Sequence, residues 1–168
     1  MTVQIRSGVV LRAREQLTDP NFSGTLVLVC VYSKEGGAYG LVLNRLAHMP
    51  LSEIFDGIEK NGWEPNENRK VYVGGPVCSE EVQVLQLTDE PVADSHKIAT
   101  GIYLGGKWES TDELIKRMDN KSTRLFLGYS GWSPGQLESE IETGAWDILK
   151  PRSLKKFLSD QESKEEKK

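Results

Sequence analysis

The stretch GYSGWSPGQLESEIETGAW, Gly128 to Trp146, constrains the fold of this chain more than any other segment. A strand is predicted to end at Gly128-Tyr129, with a turn through Gly131 and Trp132. A helix over Pro134–Thr143 follows, and neighbouring residues specify its start. Ser133 is a good N-cap, and Pro134 suits the first helical position, where its missing N–H costs nothing. Gln136 can reach back to complete a capping box. Gly144 is the natural stop. Such local specification fixes an architecture and could shape a binding surface, but it names no reaction.

The rest of the chain reads as hairpin-linked strands interrupted by helices. Gly8–Ala13 is a short first strand, and Asp19-Pro20-Asn21 is turn chemistry. Thr25–Tyr32 (TLVLVCVY) is continuously apolar and rich in β-branched residues, as expected of a strand covered on both faces. The loop Ser33–Gly37 returns it to Ala38–Asn44, which makes a β-hairpin. A helix is expected over Leu51–Asn61, where Leu51, Ile54, Phe55 and Ile58 fall at helical spacing. Lys70–Gly74 and Val82–Thr88 are strands joined tightly through GGPVCSE. A polar loop at 89–97 leads to a strand at Ile98–Leu104. Ser110-Thr111-Asp112-Glu113 is a second capping box, opening a helix with Leu114, Ile115 and Met118 inward. Thr123–Tyr129 is a strand, and a short helix follows Pro151 through Leu154, Phe157 and Leu158. Residues 161–168 are apolar-free and expected to be disordered. The pattern argues for α+β: one domain over residues 1–160, with a mixed, mostly antiparallel sheet flanked by three or four helices.

The chain has 168 residues, with 21 basic and 25 acidic side chains for a net charge of −4. At that length a single domain buries roughly 70% of its unfolded surface, so folding should need neither disulfides nor a metal. The negative balance gives no bulk attraction to nucleic-acid phosphates, which makes nucleic acid an unfavoured partner without excluding a local patch. Cys30 lies in the apolar strand run, and Cys78 sits in an expected turn whose role the residues leave open. Two distant cysteines are no disulfide framework. No signal-peptide core is visible at the N-terminus, and no window approaches the roughly 20 apolar residues of a membrane span. A cytoplasmic setting away from membranes is expected.

Several segments in order resemble the AlgH/YqgE family of bacterial proteins. They are Asp19-Pro20-Asn21-Phe22, Thr25 with its apolar strand, Gly40-Leu41-Val42-Leu43-Asn44-Arg45, and Val71-Tyr72-Val73-Gly74-Gly75-Pro76-Val77. The run Leu127 to Glu138, with Glu140, Gly144 and Trp146, completes the set. The resemblance covers roughly residues 8–150. It implies a compact domain on a mixed, barrel-like sheet with peripheral helices, and little about activity. Some members carry a transcriptional-regulator label. The chain departs from the pattern at Glu15 and Leu46, where the family usually has proline, and at Gly24, often basic. Val31-Tyr32 or their neighbours replace an acidic-histidine pair.

The residues offer no catalytic set. His48 and His96 lie in expected loops outside any motif, and the sequence around Ser130 fails the nucleophile-elbow pattern because Trp132 stands at its fifth position. The cysteines and histidines lack metal-ligand spacing, and Glu138 and Glu142, at i and i+4 on one helix, read with Glu140 as a solvated acidic face, so no metal and no cofactor are expected. Gly74-Gly75-Pro76 lacks the ending of a phosphate loop, and the helix start near Pro134 has its donors spoken for. Asn44-Arg45 is the sharpest polar pair. Arg45 can clamp a ligand carboxylate or, structurally, pair with Glu138 or Glu140. Trp132 and Trp146 read as packing anchors. Lys150, Arg152, Lys155 and Lys156 read as a solvated helix face. The expected role is therefore a non-enzymatic binding or interaction domain, meeting a protein or small-molecule partner around Asn44, Arg45, Trp132, Gln136, Glu138 and Glu140. A transcriptional regulator and an enzyme using Glu140 are the alternatives.

Overall fold

In the computed structural model, residues 4–48, 54 and 70–166 are described. The apolar run forms β2 (Leu26–Ser33), which turns into β3 (Gly37–Val42) as an antiparallel hairpin. Alternation along β2 sends Leu28 and Cys30 into one buried cluster and Val27 and Val29 into another, so both faces are covered as expected. Beside β2 lies β1 (Val10–Ala13), and outside it β9 (Trp146–Leu149), both antiparallel. The other half contains β5 (Val77–Leu87), β6 (Ser95–Ala99) and β7 (Ile102–Gly105).

The long strand β8 (Thr123–Trp132) joins the halves. The sheet order is β6-β7-β5-β8-β3-β2-β1-β9, with β4 (Val71–Val73) paired to β8 off that path. Neighbours along the path are antiparallel, and β4 runs parallel to β8. The result is the expected α+β architecture, a curled half-barrel of mixed, mostly antiparallel strands. Three helices accompany it among the described residues: α1 (Thr111–Asp119), α2 (Gln136–Glu142) and α3 (Leu154–Glu166). The helix expected at Leu51–Asn61 lies outside the described residues apart from Ile54, which packs on the α1 cluster.

Each helix closes a separate apolar cluster. Leu114, Ile115 and Met118 of α1 pack with Val71, Val84 and Leu125. Leu137 of α2 joins Leu11, Val27, Trp132 and Trp146 on one face of the curl. Leu154 and Leu158 of α3 plug the opposite face against Leu28, Leu41, Leu85 and Phe126. Burying a side chain of this size contributes about 1.5–3 kcal/mol, so these faces dominate the stability.

The two glycine motifs meet where β8 changes partners. Its first part pairs with β4 and β5, whereas Ser130–Trp132 pair with Ala38–Gly40 of β3. Gly128, at φ 71°, makes the switch. The Gly74-Gly75 backbone crosses it so closely that a Cβ on Gly74 would strike the Gly128 carbonyl, and one on Gly75 would strike Tyr129. Ser130 is fully buried and its Oγ donates to the Gly74 carbonyl at 3.0 Å.

The structure corrects several expectations. Helix α2 begins at Gln136, after a turn in which Gly135 takes a left-handed φ of 82°. Its N-cap position therefore belongs to Gly135, and Ser133 is not the cap. The predicted reach of Gln136 is present: its Oε1 accepts the Ser133 N–H at 3.0 Å. At the other end Gly144 N–H meets the Ile141 carbonyl and Ala145 N–H meets Glu140, the paired bonds of a glycine stop. The strand expected at Ile98–Leu104 is two strands, β6 and β7, because Thr100-Gly101 makes a turn that pairs Ala99 with Ile102. The stretch GGPVCSE already contains the start of β5, with a bulge between Val77 and Val82. The strand expected to end at Tyr129 runs on through Trp132, so Gly131 and Trp132 are strand, not turn. Strand β9 was not anticipated.

Residues 161–166, expected in a disordered tail, continue α3. Gln161 and Glu162 do so with partners. Arg124, only 3% exposed, donates to Glu162 Oε2 at 3.0 Å, Gln161 Oε1 at 3.3 Å and the Leu158 carbonyl at 2.5 Å. Gln161 Nε2 donates in turn to the Leu43 carbonyl at 3.0 Å.

Both thiols are free, Cys30 buried and Cys78 exposed at φ 48°. Burial raises the Cys30 thiol far above its ordinary range. A thiol reagent should therefore modify Cys78 promptly and Cys30 only on unfolding, read as one fast and one slow equivalent. Burial also raises Tyr39, with the neighbouring Cys30 and Tyr129 adding to it. For both groups the folded chain prefers the neutral form. That stability is complete below their unfolded pKa values, roughly 8.5 and 10, and is lost as pH rises beyond them. The denaturation midpoint should hold to about pH 8 and fall above about pH 9.

Candidate functional site

The tryptophan corner is built around one carboxylate. Glu140 Oε1 accepts the indole N–H of Trp132 at 3.1 Å and that of Trp146 at 3.0 Å. Its Oε2 accepts Gln136 Nε2 at 2.9 Å. The two indoles meet edge to face at 6.1 Å, and Phe22 packs against both. Trp132 and Trp146 are 5% and 2% exposed, so neither is a binding platform. A carboxylate serving as general base needs a free oxygen facing a substrate. Here both oxygens receive structural donors.

Asn44 and Arg45 do not reach this carboxylate. Asn44 Oδ1 accepts Leu26 N–H at 2.9 Å, and its Nδ2 donates to the Gly24 carbonyl at 3.1 Å. Arg45 donates to the Asn21 carbonyl at 2.6 Å and the Ser23 carbonyl at 3.1 Å. The expected pairing of Arg45 with Glu138 or Glu140 is therefore replaced by a clamp on the 19–24 loop. Phe22, between the clamped carbonyls, links that loop to the tryptophans. Glu138 lies apart, beside Tyr32, whose hydroxyl pKa is raised by burial and then by the charge and hydrogen bond of Glu138. Arg45→Ala should cost about 1 kcal/mol and speed amide exchange across residues 19–24, with the barrel core unaffected.

Among the described residues no group of three His, Cys, Asp or Glu side chains can hold a metal ion. Ser130 spends its hydroxyl on Gly74 and is sealed from solvent.

A different surface carries unspent charge. The ends of the curled sheet leave a seam between the β6–β7 turn, the segment ahead of β1, and the exit from β9 into α3. A Cβ placed on Gly8 would lie 3.5 Å from the Ala99 Cβ, which brings the two ends together. A cleft of about 710 Å³ opens there. Its wall contains buried Val9, Ile98 and Leu154, and its rim carries Arg6, Lys150, Arg152 and Lys155. Asp89 is the carboxylate in the lining. None of the four cations has a hydrogen-bond or ion-pair partner for its side chain among the described residues. The expected solvated face thus has three members on a concave surface, joined by Arg6. That residue carried no signal in the sequence, because its neighbours in space lie about 150 positions away.

Comparison with known proteins agrees with this architecture. A family model described as AlgH-like (DUF179) matches residues 10–166. A UPF0301 protein of Chlorobaculum tepidum is 33% identical over 160 residues, which cover 94% of this chain and 82% of the relative. Another from Myxococcus xanthus is 37% identical over 137 residues, covering 82% and 74%. The solution structure of the AlgH protein from Pseudomonas aeruginosa is similar at a TM-score of 0.66 and 26% identity, over 90% of this chain and 82% of that one. Protein DIP2367 from Corynebacterium diphtheriae shares the fold at a TM-score of 0.67 and 21% identity, over 90% and 78%. No helix among the described residues is long and apolar enough to cross a membrane.

Proposed function

This chain belongs to the AlgH-like family, and from that premise, which supplies a fold and no reaction, we propose that it is a non-enzymatic binding domain whose working surface is the barrel seam. The observation that supports this is the contrast in how charge is used. Glu140, Asn44 and Arg45 spend their polar atoms inside the fold. Arg6, Lys150, Arg152 and Lys155 spend none of theirs on other side chains or the backbone among the described residues. Clustered like charges repel one another and give the fold no return, so their use lies in what they meet. On this reading Asn44, Arg45, Trp132, Gln136 and Glu140 are the scaffold that holds the sheet in its curl.

The test is affinity capture from a metabolite extract, with mass spectrometry of what is retained. Compounds should be recovered chemically unchanged, retained by Glu140→Gln, and lost with the Lys150→Gln/Arg152→Gln pair. Recovery of a converted product would return the chain to the enzymes.

A further inference from the structure

We propose that the seam cleft binds a small phosphate-bearing metabolite, of the size of a nucleoside monophosphate or a sugar phosphate. The inference rests on the seam being the binding surface and adds the class of its ligand. A cleft of about 710 Å³ suits such a molecule, since small-molecule sites run to roughly 300–1,000 Å³.

Charge selects the phosphate. Arg6 enters from the segment ahead of β1, Lys150 and Arg152 from the link after β9, and Lys155 from the first turn of α3. Two stretches of chain far apart in sequence thus contribute cations to the lining of one cleft. The guanidinium groups can grip phosphate oxygens in pairs, while the ammonium groups add charge without fixing orientation. The side chains carry this site, not the helix end: Ser153 Oγ already accepts the Lys156 N–H at 3.2 Å.

The remaining lining suits a polar, hydroxyl-bearing remainder. A Cβ on Gly101 would lie 3.4 Å from Asp89 Oδ1 and 3.7 Å from Lys155 Cδ, so carboxylate and ammonium stem flank the same glycine in the cleft. Asp89 accepts hydrogen bonds and repels a second anionic group, which places the phosphate on the side of Lys150 and Arg152. Val9, Ile98 and Leu154 give the wall an apolar patch for a ring face.

A polyanion fits less well. The chain carries a net charge of −4, and α3 turns acidic at Asp160 and Glu162 directly after the basic turn. Extended nucleic acid needs a basic track, and here the basic turn that ends at Lys156 gives way to that acidic run.

The experiment is an amide chemical-shift titration of the full chain with four probes: inorganic pyrophosphate, adenosine monophosphate, citrate, and a short mixed-sequence single-stranded RNA. Saturable shifts at Gly8, Gly101 and Ser153–Lys155, stronger with the two phosphate probes than with citrate, are expected. Lys150→Gln and Arg152→Gln should each weaken adenosine monophosphate at least about fivefold. Both side chains are exposed, so the unfolding midpoint should stay unchanged and separate a binding loss from a folding loss. Seam shifts with citrate alone overturn the phosphate assignment and leave the seam as the binding surface. No shift with any probe overturns both. RNA binding tighter than that of either small phosphate, with a steep salt dependence, makes the surface a nucleic-acid track and overturns the proposal.

Discussion

Gly128→Ala is expected to remove at least about 3 kcal/mol of stability, out of the roughly 5–15 kcal/mol that holds a domain of this kind. At φ 71° a side chain is strained before it meets anything. A Cβ there would also lie 2.5 Å from the Gly75 carbonyl oxygen, 2.9 Å from that of Val77 and 3.1 Å from the Ser79 Cα. All three are backbone atoms, and none can swing aside as a side-chain tip would. The control is Gly24→Ala, whose φ of 73° is nearly the same but which faces open space within 4 Å. It should cost about 1–2 kcal/mol, the conformational part alone. Urea midpoints at unchanged m-value measure both. Equal losses in the two variants would mean that the crossing of the glycine motifs is not a close contact.

Arg124→Ala is expected to cost about 3 kcal/mol. The value sits at the low end for a broken buried pair because the Glu162 side chain keeps 18% of its exposure. The substitution strips Glu162, Gln161 and the Leu158 carbonyl of their shared donor at one stroke. Its consequence is local as well as global. Helix α3 is held by this contact and by Leu154 and Leu158, so its amides should exchange faster than those of β2 or β8. The double variant Arg124→Met/Glu162→Leu should recover most of the loss, since an apolar pair can replace a buried ionic one. A single-variant loss below about 1 kcal/mol would place the contact among surface ion pairs.

How far the sequence could be read depended on the range of the interaction. The β2–β3 hairpin was legible because its apolar run and glycine loop are contiguous. So was α1, whose Ser110 accepts the Glu113 N–H at 3.2 Å as the capping pattern requires. The start of α2 was half legible. Gln136 reaches the Ser133 N–H, but Gly135 takes the left-handed turn that delays the helix, and a glycine's choice of φ leaves no mark in its neighbours. The split of Ile98–Leu104 into two strands turned on Gly101 in the same way. Among the candidate site residues, Trp132, Gln136 and Glu140 converge, through contacts that the sequence reading did not specify. Asn44 and Arg45 find other partners more than 18 positions upstream in the case of Arg45, at Asn21 and Ser23.

Residue order alone settles what is local here: the β2–β3 hairpin, where α1 is capped, where α2 stops at Gly144, and that the chain is a mixed α+β globule of modest negative charge. It also carries the family pattern, because the glycines that let Gly74-Gly75 cross Gly128 cannot be exchanged without a clash. The folded chain decides the rest. It commits Glu140 to two indoles, spends Arg45 on a loop, draws Gln161 and Glu162 onto Arg124, and sets Arg6 beside Lys150 and Arg152. The last of these follows from how a curled sheet brings its two ends together, a long-range closure that no window of neighbouring residues encodes.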